Sequence, residues 1–205
     1  ELVDKTPIKT SNTLVKKTLE EFDSMPGANF IGPQLKGMVN ELYKELIDEL
    51  DLADDKKEDF INHLVNTEKL RIKILQDAML GKKDTESLLD TQKQLYNSRQ
   101  EDLKSLLGEE EIAKLDEYKQ ALPEKVENKY IDQRLTQSGI DPSYREEAAD
   151  LLKKTTSPSI QSSFKSVGSP LQSTNEEIEA VKDQQDFTKQ LKSVQDSLEL
   201  KKKLG

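Results

Sequence analysis

The sequence predicts an all-α protein: an antiparallel helical hairpin extended into an irregular helical bundle, with a C-terminal helix that follows a Ser/Thr-rich strap. Three observations carry this. Apolar residues recur in steps of three, four and seven, the period of a helix buried on one face. Glycine, proline and cap-forming residues punctuate that pattern at helix-length intervals. No β signal competes with the helical period, and no internal repeat of fixed length is present.

The organising stretch is 55–107. Its first arm carries Phe60, Ile61, Leu64, Val65, Ile72, Leu75 and Met79 on one face, with Lys57, Glu58, Lys73 and Asp77 on the other. Gly81 suits the end of that arm, because glycine adopts positive φ without a Cβ clash. Asp84 suits the start of the next, its carboxylate accepting from backbone N–H groups left free in the first turn. The second arm shows Leu88, Leu95, Leu103 and Leu106 with Gln92 and Arg99 between them, a thinner and wetter stripe. A short loop between arms of similar length favours antiparallel neighbours. A stripe at helical spacing is first of all a packing surface. Where part of it stays uncovered, Phe60, Leu64, Ile72, Leu75 and Met79 become contact residues for a partner.

Residues 1–32 read as an extended lead-in, with Leu14, Thr18, Leu19 and Phe22 as a short helix before the Pro26-Gly27 turn. Pro33 suits the first position of a helix whose face is Leu35, Met38, Val39, Leu42, Leu46 and Leu50. That helix is expected to end at 51–53, before Asp54 or Asp55 caps the hairpin. After Gly108, the acids Glu109, Glu110 and Glu111 complement the positive end of a new helix. Ile112, Leu115, Tyr118 and Leu122 give it a face, and Pro123 is expected to break or re-aim it. Val126, Tyr130, Ile131 and Leu135 mark a further helix ending at Ser138-Gly139. Asp141-Pro142 pairs a cap with an N1 proline and opens the helix of Tyr144, Ala148, Leu151 and Leu152. The bundle is therefore assigned to 33–154.

Composition shifts at Thr155. Through 155–173 Lys165 is the only charge, and the stretch reads as a linker or a surface strap anchored by Ile160, Phe164, Val167 and Leu171. Thr174-Asn175-Glu176-Glu177 has the form of a capping box opening a C-terminal helix over 174–205. Phe187, Leu191, Val194 and Leu198 follow the 4-3-4 spacing of a coiled-coil seam, too short to stand as an independent coiled coil. This helix needs the bundle or a second copy of the chain as its partner. Those four residues join the first-arm stripe as candidate protein-binding positions.

The 205 residues are 33% hydrophobic and 35% charged. That apolar share lies below the roughly 45–50% of ordinary globular domains, which suits thin helical layers rather than a deep core. The net charge of −9 disfavours nucleic acid, and Lys16-Lys17 and Lys201-Lys202-Lys203 are too short to reverse that. Absence of cysteine excludes disulfides, thiolate metal sites and cysteine nucleophiles, and suits the bacterial periplasm. The chain begins with Glu1 rather than Met, the expectation for a processed or trimmed form. No apolar run approaches the ~18–20 residues of a membrane span.

Chemistry is sparse. His63 is the sole histidine, so histidine-cluster metal sites and the Glu-x-x-His pair of di-iron bundles are absent. Asp48, Glu49, Asp51, Asp54 and Asp55 crowd one junction, but Leu50 and Leu52 interrupt them and no glycine supplies the turn of a calcium loop. Phosphate loops, dinucleotide turns and nucleophile elbows are missing. The sequence therefore predicts a protein that is not an enzyme, with no cofactor and no metal.

Three helix openings look alike: Leu52-Ala53-Asp54-Asp55-Lys56, Leu107-Gly108-Glu109-Glu110-Glu111 and Ile140-Asp141-Pro142-Ser143-Tyr144. Each puts an apolar residue before a polar or acidic helix start, which resembles the helix openings of Spy/CpxP-type periplasmic proteins. Those carry a Thr and a Gln that none of the three has. The run from Leu106-Leu107-Gly108 through Leu115-Asp116-Glu117-Tyr118 to Leu122-Pro123-Glu124-Lys125 is also similar to a segment of uncharacterised proteobacterial helical proteins. The resemblance spans about 46–152. It implies a cradle-shaped helical dimer that binds unfolded clients or envelope-stress partners and catalyses nothing. The alternative reading is an architectural adaptor that uses the C-terminal helix for partner binding or self-association.

Overall fold

A computed structural model describes residues 13–156 and 170–204; within the last helix, side chains are described for 174–190 and 192. The chain runs through α1 (Thr13–Asp23), α2 (Ala28–Leu42), α3 (Lys44–Glu49), α4 (Asp54–Met79), α5 (Thr85–Leu106) and α6 (Glu109–Gln137). A 3-10 turn (Pro142–Tyr144), α7 (Arg145–Thr155) and α8 (Pro170–Leu204) complete it. No strand occurs among the described residues, and the protein is all-α.

The 26-residue α4 is the axis, with α1, α2, α5 and α8 packed around it. It passes from one core to another along its length. Near its start Phe60, Leu64 and Val65 meet Leu35 and Val39 of α2, Leu46 of α3, Leu103 and Leu106 of α5, and Leu115 and Leu122 of α6. Further on Leu70, Ile74 and Ala78 meet Val15 of α1, Leu88 and Leu95 of α5, and Ile178 of α8. Each flanking helix buries one stripe, as the low apolar content requires.

The hairpin turn forms as its residues dictate. Gly81 sits at φ 61, its N–H donates to the Ala78 carbonyl at 3.1 Å, and the Lys82 N–H reaches back to Asp77 at 3.0 Å. Asp84 caps α5 by accepting from the Ser87 N–H at 2.9 Å and the Ser87 hydroxyl at 2.7 Å.

Elsewhere packing overrides the local signals. α2 starts at Ala28, where Gly27 at φ 84 turns the chain, and Pro33 lies inside the helix rather than opening it. Gly32 before it has no Cβ to meet the proline ring, which removes much of the usual clash. The helix expected to continue to Leu50 instead breaks at Tyr43 into α2 and α3. Ala53 occupies the cap position of α4, so Asp54 and Asp55 sit within its first turn and act on the helix dipole.

Pro123 does not end α6. Both sides of the proline are fastened to α2 and α3: the Tyr118 hydroxyl donates to the Leu42 carbonyl at 2.6 Å, Lys125 pairs with Glu45 at 2.6 Å, and Lys129 pairs with Glu41. Asp141 caps as expected, but its first product is the 3-10 turn that leads into α7.

α8 begins at Pro170, and Thr174 is buried inside the helix instead of capping it. The strap positions Ile160, Phe164 and Val167 and the Leu171 side chain lie outside the described residues. α8 runs parallel to α4: Arg71 grips Glu177 through two hydrogen bonds of 2.5 and 3.2 Å, and the Gln185 amide donates to the Ala78 carbonyl at 3.0 Å. The first half of α8 therefore shares a core with the hairpin.

Candidate functional site

Two features stand out around the hairpin: a buried polar layer between its arms and an apolar end at its tip. The layer starts from Arg99 of α5, which is 5% exposed. Its guanidinium donates to Asp102 Oδ2 at 2.9 Å, to the His63 carbonyl at 3.0 Å and to Thr67 Oγ1 at 3.4 Å. The Thr67 hydroxyl itself donates to the His63 carbonyl at 2.9 Å. One side chain thus bridges α4 and α5, and its planar fork suits several acceptors at once.

Electrostatics follow burial. The His63 imidazole is held well below its ordinary range, first by desolvation and then by the nearby charges of Arg99 and Lys119. Burial pushes Asp102 up, with Arg99 opposing it. The imidazole is therefore neutral at physiological pH. The Thr67 hydroxyl is engaged on both its donor and acceptor sides. The layer's groups hold the two arms in register, which is the best-attested use of a buried ion pair.

A second polar cluster corrects the sequence pattern. Lys73 and Asp77, expected on the solvated face, are both buried where α1 packs on α4. Lys73 pairs with Asp77 at 2.6 Å and with Glu21 of α1 at 3.2 Å, and Lys82 approaches Asp77 at 3.6 Å. Beside it, burial raises Glu68 above the carboxylate range, a shift that Arg71 opposes and Glu177 reinforces.

The predicted contact residues separate by exposure. Phe60 and Leu64 are core, and Ile72 and Leu75 are half-buried against the two cores. In the packed fold these four do not offer a partner an open stripe. Met79 is 69% exposed and Phe187 is 59% exposed. Leu191, Val194 and Leu198 belong to α8, but their side chains lie outside the described residues. Leu80, 60% exposed, was absent from the predicted stripe. Its signal was its place next to Gly81, where the chain leaves the helix and the core face ends.

Met79 and Leu80 close α4 at the hairpin tip, and Gln185 ties α8 to the same end by donating to the Ala78 and Met79 carbonyls. Beside this tip a shallow groove runs between the start of α5 and α8, lined by Thr85, Glu86, Leu89, Glu179, Lys182 and Asp183. α7 packs on α6, and Leu151 of α7 and Tyr144 of the preceding 3-10 turn are exposed.

Among the described residues no group of three or more His, Cys, Asp or Glu side chains gathers to hold a metal ion. No helix there is long and apolar enough to cross a membrane. No protein-family model matches the chain, and no curated protein or solved structure is significantly similar to it.

Proposed function

We propose that the protein is a non-enzymatic helical binding protein, a chaperone-like or envelope-stress module that engages protein partners with the free end of its hairpin. The observation that carries this reading is the exposure of Met79, Leu80 and Phe187, three large apolar side chains. The first two close the end of α4 to which Gln185 ties α8, and Phe187 follows two residues later. Methionine and leucine on a surface suit promiscuous apolar contact, because the flexible Met side chain adapts to different partners. The polar groups around α4 support the same reading: among the described residues they are spent on joining α4 to α1, α5 and α8, with no acid, base and nucleophile arranged for turnover. The resemblance of the three helix openings to Spy/CpxP-type proteins agrees with it.

The test is suppression of a model client's aggregation by stoichiometric protein without ATP. The wild type is expected to hold the client soluble, and the double substitution Met79→Glu with Leu80→Glu to lose that activity while keeping its helicity. Equal activity in the two proteins, or none in the wild type across pH and salt, would sink the proposal. The adaptor reading draws on a different observation, the continuation of α8 past the point where Gln185 binds the end of α4.

A further inference from the structure

The first half of α8 sits on the hairpin as a bound helix would. Thr174, Ile178, Val181 and Gln185 recur at steps of four, three and four, one face of a helix. Thr174 and Ile178 are buried, and Ile178 and Val181 pack in the core of Leu70, Ile74 and Ala78 of α4 and Leu88 and Leu95 of α5. A polar contact holds each end: Arg71 grips Glu177, and the Gln185 amide donates to the Ala78 and Met79 carbonyls.

This joint is lighter than the one beneath it. Among the described side chains of α8, Ile178 and Val181 are the apolar ones in the core, while Ala180 and Phe187 are exposed. Arg71 also faces Glu68 at 3.6 Å, so departure of Glu177 leaves the guanidinium beside a carboxylate. The Arg99 layer that joins α4 to α5 is enclosed and has no such substitute. The arms are thus fastened to each other more firmly than α8 is fastened to them.

α8 also leaves the end of the groove bare. Arg71 with Glu177 and Met79 with Gln185 share one register, an offset of 106 residues. One more step of three along the docked face reaches Thr188, which that register sets level with Lys82. A helical side chain leans toward the N-terminus, so a long one at this position would lie back over the level of Leu80. Thr188 is too short to do so; it is exposed, and its hydroxyl donates to the Gln184 carbonyl at 2.8 Å. Met79 and Leu80 stay 69% and 60% exposed.

Resting on the reading of Met79 and Leu80 as a binding surface, we infer that α8 is the internal occupant of a helix-docking groove between α4 and α5, and that an amphipathic helix of a partner protein displaces it. The groove sets the chemistry of that helix. It carries a carboxylate at the place of Glu177 to meet Arg71, aliphatic residues at the places of Ile178 and Val181, and a large apolar residue where α8 has Thr188. The last is what lets it win. Tethering presents α8 to the groove at an effective concentration on the order of millimolar. A competitor therefore needs a contact that α8 lacks, and burial of Met79 and Leu80 supplies one.

A fluorescein-labelled peptide of residues 174–190 serves as the probe, its anisotropy read against the full chain. Ile178→Asp in the chain undocks α8 and should strengthen peptide binding at least about tenfold over the wild type. Val181→Asp, at a half-buried position, should do the same to a smaller degree at unchanged helicity. A Glu177→Arg peptide should lose its binding to the opened chain and regain it when that chain also carries Arg71→Glu. A Thr188→Leu peptide should bind severalfold tighter than its parent, and the gain should vanish on a chain with Met79→Glu and Leu80→Glu. Equal peptide binding by the wild type and both opened variants would overturn the inference. So would a Thr188→Leu peptide no tighter than its parent, or opened chains that ignore the peptide and pair with one another in sedimentation. Peptide docking without client holding would leave the groove standing and refute only the proposed function. Client holding lost with Met79→Glu and Leu80→Glu, beside a peptide that never docks, would do the reverse.

Discussion

Replacing Arg99 with alanine removes the one guanidinium that joins the hairpin arms through Asp102, Thr67 and the His63 carbonyl. Both ends of the ion pair are buried, with side chains 6% and 9% exposed, so solvent screens it little. Asp102 would be left as a buried carboxylate without its cation, and truncations of this kind cost about 3–5 kcal/mol. At roughly 2–4 °C per kcal/mol for a chain of this size, the melting temperature should fall by about 6–20 °C. Removing both partners together, as Arg99→Met with Asp102→Leu, leaves no stranded charge and should recover most of the loss. The His63 carbonyl keeps its donor from Thr67 in either variant. Urea denaturation followed by circular dichroism measures all corners of the cycle. A single substitution costing under about 1 kcal/mol, or a double as damaging as the single, would refute the assignment of this pair as a buried clamp.

Stability should fall as pH drops from 7 to 5. The folded imidazole of His63 resists protonation while the unfolded one takes a proton near its ordinary value of about 6.5, so the unfolded chain gains protons first. His63→Gln should flatten that decline in thermal melts. Glu68 acts with the opposite sign: its raised value means the folded state binds a proton earlier as pH falls, so its contribution is fullest at low pH and is lost as pH rises through that value. Glu68→Gln should accordingly steepen the decline. Asp84→Ala should lower the urea midpoint by freeing the Ser87 N–H at the start of α5. A drop no larger than that of an exposed control such as Asp90→Ala would show that the cap contributes nothing.

Much of the fold was legible because local signals and packing agree at the hairpin. Gly81 and Asp84 are each the residue that their backbone position requires, and the stripe from Phe60 to Val65 has a single outlet for burial. Legibility failed where a long-range contact outweighed a local rule. Pro123 reads as a break, but nothing in the sequence shows that Tyr118, Lys125 and Lys129 fasten both of its sides to α2 and α3. Lys73 and Asp77 read as solvated because charge is the usual mark of an outer face. Their burial depends on α1, whose Glu21 reaches Lys73 from far earlier in the chain. Phe60 and Leu64 were candidate contacts where the stripe stays uncovered, and they belong to a face that α2, α3 and α6 occupy. Met79 and Phe187 stayed open because they sit where α4 ends and where α8 turns its other side outward.

The central claim is that α4 is an enclosed axis with α8 as one of its walls, and native-state hydrogen exchange tests it most directly. Amides over 60–78 of α4 should be the slowest in the molecule, those over 174–185 of α8 should be protected with them, and α7 should exchange far faster. Exchange over 60–78 as fast as in α7, or over 174–185 as fast as in a free helix, would contradict the account.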